Sequence, residues 1–147
     1  MIFPDVESEV YGEFALYMAE KFPELSLSNT EDRSPAKFPH LSLVEADNVT
    51  RIDTADSGSV QNHVNVIFEM NIYTNRSGAP KSQAKAIYAE ADAWFLRHGF
   101  TRTMKQPVNM DDATKYRIVA RYTGCVDKNM KVYRRYPLWL PALTKPF

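Results

Sequence analysis

His63-Val-Asn-Val-Ile-Phe-Glu-Met-Asn-Ile-Tyr-Thr74 is the stretch on which the fold turns. Val64, Val66, Phe68, Met70 and Ile72 recur at every second residue, with Asn65, Glu69 and Asn71 between them. A β-strand sends successive side chains to opposite faces, so the pattern predicts a strand with one face buried in a core. Tyr116, Ile118, Ala120 and Tyr122 repeat it against Arg117, Val119, Arg121 and Thr123, up to about Val126. Two such strands need an apolar cover, and the chain offers two helices. Val6, Val10, Phe14 and Tyr17 or Met18 recur at helical spacing between Pro4 and Phe22-Pro23. Ala84, Ile87, Tyr88, Ala91, Trp94 and Phe95 do the same between the Asn75-Arg-Ser-Gly-Ala-Pro turn and Gly99.

Three shorter strands complete the reading. Phe38 to Glu45 and Val49 to Thr54 flank an Ala46-Asp-Asn turn, and Phe100 to Met104 is confined to an edge or an end by Pro107. Residues 23–37 and Asp53 to Asn62 read as polar loops, and Asn109-Met-Asp-Asp as a turn. The predicted fold is therefore α+β: a mainly antiparallel sheet with two amphipathic helices on one face, in the order α-β-β-β-α-β-β. Residues 1–127 make one domain. Residues 128–147 form an extended C-terminal arm, in which Tyr133, Tyr136, Leu138, Trp139 and Leu140 lie among prolines, with no helical or strand periodicity beyond about Arg135.

With 147 residues, 44% of them apolar and 24% charged, the chain has ordinary globular composition and room for one core. Acids and bases balance at 18 each, so no global charge steers it to nucleic acid or to an anionic membrane. The ends differ in sign. Residues 1–24 carry Asp5, Glu7, Glu9, Glu13, Glu20 and Glu24 against Lys21 alone, whereas residues 128–147 carry Lys128, Lys131, Arg134, Arg135 and Lys145 and no acid. The single Cys125 excludes an intramolecular disulfide and a multi-thiolate metal site, and cytoplasmic synthesis is expected. No basic and apolar leader opens the sequence, and no apolar run has the length of a membrane helix.

Residues suited to catalysis are sparse. His40, His63 and His98 show no metal-ligand spacing, and His98 beside Arg97 is placed to satisfy the last helical carbonyls. Asp111-Asp112 offers either a cation site or a plain hairpin turn, and the turn needs no third ligand. Ser57-Gly58-Ser59 lacks the strand-to-helix setting of a nucleophile elbow, and no phosphate-binding loop is present. Cys125 after Gly124 reads as a small buried residue. Arg117 and Arg121, with Lys105 near them, could face a polyanion or lie on a solvated face paired with Glu69. No enzyme, cofactor or metal is expected.

Four blocks carry a resemblance: Phe38-Pro-His-Leu-Ser-Leu-Val-Glu-Ala-Asp-Asn; Asn62-His-Val-Asn-Val-Ile-Phe-Glu-Met-Asn-Ile-Tyr-Thr-Asn; Lys81-Ser-Gln-Ala-Lys-Ala-Ile with Gly99-Phe-Thr-Arg; and Asp112-Ala-Thr-Lys-Tyr-Arg-Ile-Val-Ala-Arg-Tyr. In this combination and order, residues 38–127 resemble the small tail completion or tail terminator proteins of long-tailed bacteriophages, a structural family without catalytic residues. The resemblance implies a ring, usually a hexamer, that caps the finished tail tube in the virion and meets the head-side connector. Partners would then be copies of itself, the tail-tube protein and the connector protein, with DNA only passing through the ring and no membrane involved. A head-tail adaptor one ring nearer the capsid, a small nucleic-acid-binding module and a small hydrolase are the competing readings.

The composition of the ends suggests where contacts form. In a ring, one patch meets a different patch on the next copy, so opposite charge at the two ends suits such an interface, although it also permits docking within one chain. Glu7, Glu9 and Glu13 on the first helix and Tyr133, Arg134, Arg135, Tyr136, Leu138, Trp139 and Leu140 in the arm are the candidate contact residues.

Overall fold

A computed structural model describes residues 3–50 and 63–133. Its elements are α1 (Val6–Lys21), β1 (Ser26–Ser28), β2 (His40–Thr50), β3 (His63–Thr74), α2 (Pro80–Arg97), β4 (Thr101–Val108), β5 (Tyr116–Asp127) and β6 (Val132–Tyr133). The strands form one sheet in the order β1-β2-β3-β5-β4, with β6 also paired to β5. Every pairing is antiparallel except β1 with β2. The α+β class and the predicted order α-β-β-β-α-β-β hold, with the two-residue β6 added at the end.

β3 and β5 form the centre, pairing over twelve residues from His63↔Asp127 to Thr74↔Tyr116. Their alternation does what the sequence requires: Phe68 lies opposite Tyr122, Met70 opposite Ala120 and Ile72 opposite Ile118, all buried. Leu41 and Leu43 extend this face onto β2. Each large side chain fully buried there contributes about 1.5–3 kcal/mol of transfer free energy.

Both helices cover that face. α1 starts at Asp5, whose carboxylate accepts from Ser8 N–H at 3.2 Å and from Ser8 Oγ at 2.7 Å. A side-chain acceptor at this position satisfies a donor that the first turn leaves free. Val6, Val10, Phe14 and Met18 are its buried stripe. α2 ends in a paired turn: Phe100 N–H donates to Phe95 O at 3.0 Å and Gly99 N–H to Leu96 O at 3.2 Å. Gly99 takes the positive φ of 88° that this closure requires, and the Phe95 and Phe100 rings meet edge to face at 5.3 Å. Phe14, Phe68, Trp94, Phe95, Phe100 and Tyr122 join in one aromatic cluster where helices and sheet meet.

Three strand expectations change. The strands expected at 38–45 and 49–54 are one strand, β2, whose register shifts between Glu45 and Asp47. Ala46 is the extra residue of a bulge, so turn-favouring residues bend the strand instead of ending it. Residues 51–62, with the end of the second expected strand and the polar loop, lie outside the described residues. Within the stretch read as loop, Ser26–Ser28 pairs in parallel with Ser42 and its two predecessors on β2. Three residues carry too little periodicity to announce a strand whose partner lies fourteen positions away.

β4 is an edge strand, as Pro107 requires, and runs on to Val108. Its register shifts at Thr103. Residues 128–133, drawn as part of the arm, belong to the domain. Met130 takes a φ of 63° in the turn, and Val132 is fully buried and pairs with Val126. β6 shares the edge of β5 with β4: Tyr133 faces Cys125 and Thr101 faces Thr123, leaving only Gly124 between. Residues 134–147 lie outside the described residues.

Candidate assembly surfaces

The acidic residues of α1 divide into two sets. Glu7 turns to its own sheet, where Oε2 accepts the Glu45 N–H at 2.7 Å beside the β2 bulge. Burial, with Glu7 and Asp5 nearby, raises the Glu45 carboxyl above its ordinary range. Glu7 thus fastens α1 to β2. Glu9 and Glu13 are exposed, as are Gly12 and Glu20, and Leu16 between them is 71% exposed. Glu9, Gly12, Glu13, Leu16 and Glu20 follow three- and four-residue spacing, so they make one outward stripe.

The face of the sheet away from the helices holds Arg117 and Arg121, and both have partners. Arg121 Nε donates to Glu69 Oε1 at 3.1 Å, from the residue directly opposite in the register. Arg117 donates to Asn71 Oδ1 from Nε at 3.0 Å and from Nη2 at 2.8 Å, and its guanidinium lies 5.0 Å from the Tyr73 ring centre. Of the two readings of this face, the cross-strand pair with Glu69 is the one observed. Lys105 does not join them. It sits on the helix side, 4.5 Å from the centre of the Tyr88 ring.

On that side Asp92 of α2 gathers donors that the sequence did not announce. Asp92 Oδ1 accepts from Tyr122 Oη at 2.7 Å, Tyr88 Oη at 3.1 Å and Arg102 Nη1 at 3.1 Å. Arg102 Nη1 also donates to Tyr88 Oη. Burial, then the bond to Asp92, drives the Tyr122 phenol far above its usual range, and burial with the Asp92 charge raises Tyr88. Both stay protonated donors. The carboxylate oxygen is fully engaged, which suits a clamp between α2, β4 and β5 better than a base. Tyr88 and Asp92 at i and i+4 of one helix were the available signal.

Tyr133 stands where the chain leaves the described fold. Its ring meets His63 edge to face at 5.2 Å and its Oη donates to Asp127 Oδ2 at 2.9 Å. Asp127 Oδ1 accepts from Asn129 N–H at 2.8 Å and Lys131 N–H at 2.9 Å. Burial resists ionisation of Asp127, but the bonds from Lys131, Tyr133 and Asn129 and the nearby His63 outweigh it and lower its pKa. Tyr133 is 42% exposed, so it is both a fixed residue of the domain and a surface residue. The arm contacts expected at Arg134, Arg135, Tyr136, Leu138, Trp139 and Leu140 lie outside the described residues.

The remaining candidates sit in structural settings. His98 Nδ1 lies 2.8 Å from Trp94 O, and because a carbonyl only accepts, that nitrogen carries the proton. Asp112 Oδ1 accepts from Thr114 N–H at 2.9 Å and Thr114 Oγ1 at 2.6 Å within the β4–β5 turn. Cys125 is half-buried, less enclosed than expected. His40 is buried with Nδ1 3.0 Å from Ser26 Oγ, and burial lowers its pKa. Among the described residues no three His, Cys, Asp or Glu side chains group to hold a metal ion, and no helix is long and apolar enough to cross a membrane.

No family model matches the chain, and no curated protein matches it. Among the solved structures that match, one superposes with a TM-score of 0.53 at 17% identity, over 91% of this chain and 98% of the other. At that identity the likeness shows a shared fold, and the solved chain bears no functional name.

Proposed function

We propose that this chain is a structural virion assembly protein without catalytic activity, which closes a phage tail tube as a ring of copies and joins it to the head-side connector. Support comes from where the resembling blocks fall. They trace β2, β3, the start of α2 with the start of β4, and β5, which is the sheet and its main helix. The observation that carries the proposal is the separation of charge between opposite edges. The exposed Glu9 and Glu13 ride on α1, which Glu7 fastens to β2, while the sequence that is basic and free of acids begins beyond β6, on the far side of the sheet. A head-to-tail contact between copies brings these two edges together, and a closed ring multiplies each weak contact by the number of copies. A nucleic-acid-binding role gains little, because Arg117 and Arg121 are held by Asn71 and Glu69.

Electron microscopy of the purified protein, with and without assembled tail tubes, tests the proposal. Rings seated at one end of the tubes are expected. Binding to connector or portal protein with no affinity for tubes would replace it by the adaptor reading. Salt-sensitive DNA binding by the monomer would replace it by the nucleic-acid reading.

A further inference from the structure

The two outermost strands of the sheet are poorly suited to strand addition. β1 has three residues, and β4 carries a bulge at Thr103, Lys105 and Pro107, features that blunt an edge against pairing. The outer face of α1 is different. Leu16 is the most exposed large apolar side chain among the described residues. Four positions before it, in the helix interior, stands Gly12, the residue type least favourable to a helix apart from proline. A β-carbon on Gly12 would meet nothing within 4 Å, so no contact among the described residues requires a glycine there. Glu9, Glu13 and Glu20 surround this bare patch and form no ion pair among the described residues.

We infer that the Glu9–Gly12–Glu13–Leu16–Glu20 stripe of α1 is the seat for residues 134–147 of a second copy of the chain. This deepens the ring reading and rests on it. The occupant is chosen by charge and by shape. Residues 134–147 contain Arg134, Arg135 and Lys145 and no acid, so they complement the stripe in sign. Pro137, Pro141 and Pro146 favour an extended chain that lies across a surface through its side chains and needs no ladder of backbone bonds. Glu9 and Leu16 are separated by about 10 Å along a helix, so one short peptide can span both the acidic and the apolar part of the stripe. The arginines then meet Glu9 and Glu13 while an apolar side chain covers Leu16, and the missing β-carbon at Gly12 admits a ring or a backbone. The segment starts at the β6 edge, across the sheet from α1, which favours a neighbouring copy as host.

Charge reversal tests this on the full chain, read by sedimentation and by capping of tail tubes. E9K/E13K alone and R134E/R135E alone should each weaken self-association about tenfold or more, since like charges then face each other. An equimolar mixture of the two variants should recover it, because each arm finds an oppositely charged helix on the other variant. Circular dichroism checks that these exposed changes leave the fold intact. If a chain carrying all four substitutions recovers association and the mixture does not, the arm docks on its own α1 and the inference falls. Unchanged association by both single-sided variants, with wild-type protein still capping tubes, overturns the inference and leaves the ring reading standing. Wild-type protein that stays monomeric with and without tubes overturns both.

Discussion

Gly124 of β5 lies directly beneath the ring of Phe100: a β-carbon built on Gly124 would come within 2.6 Å of Phe100 Cδ1 and 3.3 Å of Val132 Cγ1. Phe100 is buried between Phe68 and Phe95 and cannot swing away without disturbing both. Gly124→Ala is therefore expected to destabilise the fold by about 1–3 kcal/mol through overpacking. Urea unfolding gives the value, and adding Phe100→Leu should recover part of it. A neutral Gly124→Ala would show that the ring has room to move.

Asp92 and Tyr122 should behave as a coupled pair. Asp92→Ala leaves the fully buried Tyr122 hydroxyl without its acceptor, at a cost of about 1–3 kcal/mol. In the Tyr122→Phe background that hydroxyl is gone, so the same substitution should cost measurably less. A double-mutant cycle in urea measures the difference, and strict additivity would remove Asp92 from its role as a clamp.

Acid should loosen the root of the C-terminal segment. The folded-state pKa of Asp127 is depressed, so its contribution is present above the ordinary carboxylate range, about pH 4, and is lost as pH falls through the folded value. Asp127→Asn should cost about 1–2 kcal/mol at neutral pH and should flatten the fall in stability between about pH 5 and pH 2. Urea midpoints for the two proteins across that range decide it. Parallel curves would mean that other carboxylates set the acid limit.

Gly12→Ala is expected to raise stability by up to about 1 kcal/mol, since the position is helical, exposed and surrounded by open space. Thermal unfolding checks this. A loss of stability would reveal a contact that requires the glycine within the chain itself.

Long periodic segments were legible in the sequence, and features made by register were not. β3, β5 and both helices follow from alternation or helical spacing, because each buries a complete stripe. Lys105 was misplaced for a definite reason. Strict alternation puts residues 102 and 105 on opposite faces, but the bulge at Thr103 brings Arg102 and Lys105 to the same side, within 5.9 Å and 4.5 Å of the Tyr88 ring centre. The parallel pairing of β1 joins segments that share no local pattern. Among candidate contact residues, Glu7 shares composition and helix with Glu9 and Glu13, and only the position of the Glu45 amide separates it from them. The Asp92 clamp needed three elements in place before its donors could meet.

On one side of β5, Gly124 alone separates the residues paired with β4 from those paired with β6. Every other residue of β5 from Arg117 to Val126 already has a partner on this side, in β4 or in β6. Tyr133, the last described residue, is held there from two sides, by its hydroxyl on Asp127 and its ring against His63. The two short segments therefore act on β5 as a single composite neighbour, and neither can shift its register along that strand without meeting the other.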